Sequence, residues 1–482
     1  MIRKRVSWIL IASLLIAISY FAMLSDPMID ESISLVNIDS YISKIEMSND
    51  IDSLTFTFEK VHPNPYRFFE RMHFLSRRDA IKKELPDSLS IINFWRIIDQ
   101  LIIEYNDAHS NTHDSYILTD YVKKGGKFFP FPAKISNKQI TITGGHSMSS
   151  TLPPGTEIIK INGRTSEELI SDLLKHASKE TQPLKVLEIS DDFGFYLWKS
   201  YEWEADYQVQ FKKNEDSSID SIEVEGILWK DRINYKITNT ESYSFKVLED
   251  NVGYMKISDF NGHEKDYQAF YKHSFQTLKD LKARELILDF RGHDGGADSY
   301  GEHLAKYIAH RPFRKLSKAL WKITPEFKDA FDKKFIPKSI RWFKPIYLIN
   351  EYSRNFYGAK PYELKKITYD LKNPLPINER FEGNVYLIID HNTFSAGSIF
   401  AEMFKHYNMG KIIGQPTGNL YSFNGFAIAN FTLPNSKLTY QVSSVYNIAN
   451  NGEEGLKSVE PDDLINQGVD PIAYIFREYI LK

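Results

Sequence analysis

Three short apolar runs, each leading through a turn into an amphipathic stretch, restrict the fold of this chain more than any other feature. They lie at residues 252–257, 285–290 and 384–390, and helical patterns follow at 266–282, 298–309 and 396–407. In a strand with one wet face, apolar and polar residues alternate. Runs such as L-I-L (286–288) and V-Y-L-I-I (385–389) are apolar throughout, which marks strands covered on both faces. Strands alternating with helices predict a mostly parallel sheet with helices packed on it.

The rest of the chain differs in texture. Residues 38–105 read as helical, broken at H-P-N-P (62–65), and the last segment carries Ile92, Phe94, Trp95, Ile98, Leu101 and Ile102 at helical spacing. Residues 124–185 read as short strands with Gly and Pro punctuation. There, a strand over 157–161 closed by Asn162-Gly163 predicts a hairpin before an amphipathic helix from Ser166 to about His176. Residues 186–250 alternate apolar and polar and predict antiparallel sheet. The aromatic- and Lys-rich stretch 311–380 interrupts the α/β rhythm and reads as an insertion, a lid or a substrate-facing element.

With 482 residues, two to four domains are expected. A hydrophobic share of 42% and a net charge of −3 describe a globular protein and weigh against nucleic acid as partner. The absence of Cys removes disulfides, thiolate catalysis and Cys-ligated metals. No H-E-x-x-H or other metal-ligand cluster stands in the sequence, and no cofactor is expected. Arg3, Lys4 and Arg5 precede an uncharged run over 6–24, long enough to span a hydrocarbon core of about 30 Å. The cations should remain cytoplasmic, so the remainder is expected to be exported, either on an uncleaved membrane anchor or after a cleaved signal peptide.

Ser395 stands where the run 384–390 passes into the helix from Ala396. A hydroxyl there is exposed at the end of a parallel sheet, where such folds bind ligands. The Ala396 amide would lack an intrahelical acceptor and be free for an oxyanion. A serine at this point is equally well placed as a simple helix cap. If it is a nucleophile, its base lies upstream or is a Lys. The sole His beyond it, His406, is eleven residues along the same helix, about 16 Å away at 1.5 Å per residue. That order excludes the usual nucleophile-elbow arrangement, as does Thr393 where Gly is wanted. Among upstream histidines His109, in the polar turn N-D-A-H-S (106–110), is the best placed; His113, His293 and His391 are weaker. A second turn, D-F-R-G-H-D-G-G (289–296), could aim backbone N–H groups at an anion but lacks the spacing and Lys of a phosphate loop.

L-I-L-D-F-R-G-H-D-G-G together with T-F-S-A-G-S-I-F-A-E about a hundred residues later resembles the S41 peptidases, the tail-specific, carboxy-terminal processing and tricorn-type serine proteases. The stretch 153–170 looks like that family's PDZ-like domain; L-P-N-S (433–436) and V-E-P-D (459–462) also match. The resemblance implies an α/β multidomain protein: a signal segment (1–26), an N-terminal helical domain carrying His109 (27–115), a PDZ-like domain (116–185) and a ClpP/crotonase-like α/β catalytic core (186–482) with the insertion. It implies peptide or protein substrates, Ser395 as nucleophile, and oxyanion amides from Gly295 or Gly296 with Ala396. The stretch G-Q-P-T-G-N-L (414–420) lacks the Lys of a Ser–Lys dyad, which points to the tricorn-like branch with His109 as base and a late Glu, Glu454 or alternatively Glu453, as orienter. A non-catalytic binding protein on the same scaffold and an esterase are the alternatives.

Overall fold

The computed structural model describes residues 37–144, 152–203, 206–214, 218–232, 241–336, 341, 351–426, 429–466 and 468–481. The apolar run 6–24 lies outside the described residues. Among those described, no helix is long and apolar enough to cross a membrane.

The three apolar runs form the middle of a six-stranded sheet ordered Tyr243–Val247, Gly253–Ile257, Glu285–Asp289, Asn384–Ile389, Lys411–Gly414 and Asp463–Leu464. The first pair is antiparallel and the rest are parallel. The period-two pleat sorts their side chains. Leu286, Leu288, Val385, Leu387 and Ile389 face a core closed by the helices Glu264–Asp280, Asp298–Ile308 and Ala396–His406. Ile287, Tyr386, Ile388 and Ile413 face the other way, against Ile465, Ile475 and the C-terminal segment.

The N-terminal part is helical, as expected, through Lys44–Val61, Arg71–Glu84 and Ile91–Ile103. Ser43 and Glu46 cap the first of these reciprocally. This part does not pack alone. Its core includes Leu433, Leu438 and Tyr440 from far along the chain, and the strand Asn111–Thr112 pairs with Thr439–Gln441. Buried Asp50 accepts the backbone N–H groups of Asn435 and Ser436, tying the L-P-N-S turn to the same helix. The segment bearing His109 is thereby fixed to the C-terminal half.

The expected hairpin forms. Asn162 and Gly163 have φ of 48° and 80°, the left-handed pair of a type I′ turn, and Glu157–Ile161 pairs with Arg164–Thr165. Two expectations differ. Residues 182–200 form the helices Gln182–Asp191 and Phe193–Ser200, not alternating strands. The strands Asp206–Lys212 and Asp220–Glu225 are antiparallel, but they join the sheet of Glu157–Ile161 and not the parallel one. A boundary at residue 185 therefore cuts through one sheet. Helix and strand signals in short apolar runs are hard to tell apart, and pairing partners are not written locally.

The stretch 311–380 is woven into the fold. Its strands Lys318–Ile323 and Glu363–Thr368 form an antiparallel sheet with Val445–Ile448 and Phe423–Gly425. That sheet stands beside Ser395.

Candidate active site

Two strand-to-helix turns meet at the C-terminal ends of Glu285–Asp289 and Asn384–Ile389. Asp289, buried at the base of the first, accepts from the Arg291 guanidinium at 3.0 and 2.6 Å and from the Tyr254 hydroxyl at 2.7 Å. Burial opposes its charge, but the Arg291 hydrogen bonds and the nearby Lys256 outweigh that and hold it below the ordinary carboxylate range. Asp390 of the second turn accepts the Gly292 N–H, and Thr393 Oγ1 donates to the Phe290 carbonyl. The Phe394 N–H donates to the His293 carbonyl. The Gly-rich turn and the serine turn are thus one hydrogen-bonded unit.

Ser395 has φ 51° and ψ −116°, a conformation that L residues other than glycine rarely adopt. Its side chain does not cap the helix Ala396–His406. Its Oγ has no hydrogen-bond partner among the described residues, and Ser395 is only partly buried. Its backbone N–H donates to Asn419 Oδ1. The chain order argued against a nucleophile elbow, yet the local backbone is that of one: a strained turn presenting an unbonded hydroxyl.

The three amides expected to face an oxyanion are not equivalent. The Gly295 N–H is engaged with His293 Nδ1 at 3.1 Å. Gly296 and Ala396 use their N–H groups in no hydrogen bond among the described residues; the contacts to Phe260 beside Gly296 are made through the Gly295 carbonyl and the Ala297 N–H. Gly296 and Ala396 line one cavity with Ser395. Both glycines are required by their surroundings. At φ 110° a Cβ on Gly295 would stand 2.7 Å from Ser395 Cβ, and at φ 111° one on Gly296 would stand 2.4 Å from the Phe260 carbonyl oxygen.

His293 is a structural part of this turn. Its ring packs between Phe260 and Phe290 and against Gly397, where a Cβ would lie 2.7 Å from Nδ1. Accepting at Nδ1 puts the proton on Nε2, and burial pushes its pKa down to about 4. His113 bonds to Asn430 at 2.9 Å, and His391 is lowered chiefly by burial and interacts with the Pro416 backbone. Neither histidine hydrogen-bonds Ser395.

His109 lies beside the serine turn. Its ring stacks on Phe394 at 5.3 Å and on Phe423 at 5.8 Å between centroids. Asp107 builds its loop: Oδ1 accepts the His109 N–H at 2.9 Å, and Oδ2 takes the Ser110 hydroxyl at 2.5 Å and lies 3.2 Å from His62 Nε2. Burial lowers the His109 pKa; Asp107 and the Asn424 carbonyl raise it, Lys179 lowers it, and the net direction is down. The ring is therefore neutral at pH 7, as a base must be. Its Nδ1 is buried without a hydrogen bond.

Neither late glutamate makes a hydrogen bond or ion pair with His109 among the described residues. Glu453 turns its carboxylate onto the Gly455 N–H at 2.7 Å, and Glu454 is exposed, its carbonyl held by Arg67 at 3.0 Å. A buried carboxyl that the sequence reading missed is Glu180. Its Oε2 accepts from Asn419 Nδ2 at 3.1 Å and from the Leu420 N–H at 3.2 Å. Asn419 in turn holds the Ser395 N–H, so the segment before helix Gln182–Asp191 is linked to the serine through two side chains. Burial drives the Glu180 pKa up to about 8, helped by Asp107 and opposed by Asn419, Leu420 and Arg67. Nothing in the sequence distinguishes Glu180 from other Glu residues. Asn419 lies in the 414–420 stretch, where only its amide identity is visible.

A partly buried, strained serine shares a cavity with two backbone amides that make no hydrogen bond among the described residues, and a buried histidine lies beside its turn. Such groups can attack a carbonyl and hold the resulting oxyanion. Residues 251–465 match the model of peptidase family S41. Over most of the chain, the mixed α/β fold is similar to that of solved CPAF structures. Mature CPAF superposes with a TM-score of 0.58 at 14% identity, over 87% of this chain and 93% of that one. Mature CPAF complexed with lactacystin gives 0.57 at 12%, over 87% and 94%. The photosystem II D1 C-terminal processing protease covers 87% and 93% at 12% identity with a TM-score of 0.43. No curated protein sequence matches the chain.

Proposed function

We propose that this protein is an exported serine endopeptidase of the non-processing, tricorn-like S41 branch. Ser395 Oγ attacks the scissile carbonyl, His109 takes its proton and returns it to the leaving amine, and the Gly296 and Ala396 N–H groups hold the oxyanion until water resolves the acyl-enzyme. The observation that carries this reading is the backbone of Ser395, strained at φ 51°, with its hydroxyl and two amides of the same cavity unbonded among the described residues. A cap would have bonded its own helix. A catalytic Ser–His hydrogen bond of this kind tightens around the substrate.

Glu454 fills the orienting role only if its exposed loop closes on His109; Asp107 is the carboxylate whose charge already favours the imidazolium. Residues 6–24 would anchor the chain on the outer side of the membrane, and the antiparallel unit around Glu157–Ile161 is assigned as PDZ-like. The test is labelling by a fluorophosphonate and cleavage of peptides by wild type, Ser395→Ala and His109→Ala. Both variants should lose turnover, and label should vanish in Ser395→Ala. Full activity in Ser395→Ala overturns the reading. A wild type that neither labels nor cleaves supports the binding-protein alternative, and esters cleaved without matched amides support the esterase.

A further inference from the structure

A cavity of about 370 Å³ opens beside Ser395 and is lined by Gly296 and Ala396 as well. Its other walls come from three separate parts of the chain. Ile399 lies one turn into the helix that Ser395 begins, Phe423 and Val445 stand on the antiparallel sheet, and Trp321 and Tyr369 come from the stretch 311–380. Ile399, Phe423 and Val445 are buried and form its deep side. Trp321 and Phe426, ring to ring at 5.8 Å, stand on its more open side.

The polar groups are few and already matched. Lys315 and Asp298 are the charged residues in the lining, and they pair with each other at 2.6 Å. Lys315 also lies over the Tyr369 ring at 5.1 Å. Asn447 contributes a neutral amide. A charged side chain entering this space would give up water without gaining a free counter-charge, whereas an apolar one would lose only unfavourable hydration.

Position decides what enters. A carbonyl carbon at Ser395 Oγ, with its oxygen on the Gly296 and Ala396 amides, belongs to a residue whose side chain starts within this same lining. We propose that the cavity is the specificity pocket of the site, and that it selects substrates with a large apolar or aromatic residue on the acyl side of the scissile bond. This rests on the serine peptidase reading above for its consequence in turnover, but the pocket's preference can be read without turnover.

Two measurements test it. In the first, wild type is given a peptide series differing only at the acyl-side residue. Phe, Tyr, Trp or Leu should exceed Ala by at least about 10-fold in kcat/KM, and Lys or Glu by about 100-fold. In the second, the same peptides, fluorescein-labelled, are titrated against Ser395→Ala by anisotropy, and the affinity order should be the same. Val445→Phe, which narrows the deep side, should move the preference toward Ala and Val. If that buried substitution prevents folding, Phe426→Ala at the exposed rim should instead lower the aromatic preference by about 3- to 10-fold. Equal or better use of Lys, Glu or Ala by an active wild type overturns the pocket assignment and leaves the peptidase reading intact. An inactive, unlabelled wild type whose Ser395→Ala form still binds aromatic peptides best overturns the peptidase reading and leaves the pocket. Binding without preference overturns the pocket.

Discussion

Gly295 approaches Ser395 so closely that a Cβ on the glycine would lie 2.7 Å from the serine Cβ and 3.2 Å from its Oγ. The Gly-rich turn and the serine turn are therefore built against each other at the distance a bare backbone allows. Gly295→Ala introduces both this overlap and a left-handed φ of 110°, a strain of about 1–3 kcal/mol. Since Gly296 rides on the same turn, the amides proposed to hold the oxyanion should shift, and kcat should fall by about 10²–10³ with KM little changed. Steady-state peptide cleavage checks this; unchanged kcat would show that the turn does not position the hole.

Strain at Ser395 makes an opposite prediction about stability. Glycine tolerates φ 51°, ψ −116°, whereas alanine does not relieve it. Ser395→Gly should therefore be more stable than Ser395→Ala by about 1 kcal/mol despite its freer unfolded chain. Urea midpoints at constant slope would measure the difference. The reverse order would mean that the turn relaxes in solution.

His109 has its pKa held below the ordinary 6.5, by burial first and by Lys179 as the opposing cation. The acidic limb of kcat/KM should accordingly lie below pH 6.5. Lys179 sits 4.8 Å from the Phe394 ring centroid. Lys179→Met removes a cation that disfavours imidazolium, so the limb should move to higher pH. A limb that does not move would exclude His109 as the titrating base.

Two buried groups set opposing slopes of stability with pH. His293 titrates near 4 in the folded chain and near 6.5 unfolded, so the unfolded state binds the proton first. Its stabilising effect is complete above pH 6.5 and is lost as pH falls toward 4, by about 3 kcal/mol at the acid limit. Glu180 titrates near 8 folded and 4.5 unfolded, so the unfolded state releases the proton first and stability falls as pH rises from 4.5 to 8. Glu180→Gln keeps a neutral partner for Asn419 and should abolish the loss between pH 6.5 and 8, raising Tm at pH 8. Denaturation of wild type and variant across pH 4–9 reads both slopes, and identical curves would refute the assignment to Glu180.

The parallel sheet was legible because its signal is local: V-Y-L-I-I can be buried only between two layers. Ser395, the Gly-Gly turn and the turn bearing His109 were legible for the same reason, each being a short motif with its own turn chemistry. The misread boundary near residue 185 came from strands whose partners lie fifty residues earlier, and alternation in 206–225 names a strand without naming its sheet.

What the sequence determined by itself is thus the alternation of covered strands and helices, and the residue types offered at their ends. Tertiary structure alone decided which of these meet. It set Ser395 at a φ that its own residue type disfavours, with its side chain not capping the helix, and spent the Gly295 N–H on His293 while that of Gly296 makes no hydrogen bond among the described residues. It turned the Glu453 carboxylate onto the Gly455 N–H, and brought Glu180 through Asn419 to the serine backbone from 215 residues upstream. It also turned an apparent insertion into a wall of the cavity. The physical reason is range: hydrophobic periodicity and turn propensity act over a few residues, whereas hydrogen-bond partners, desolvation and strain are fixed by neighbours that only packing supplies.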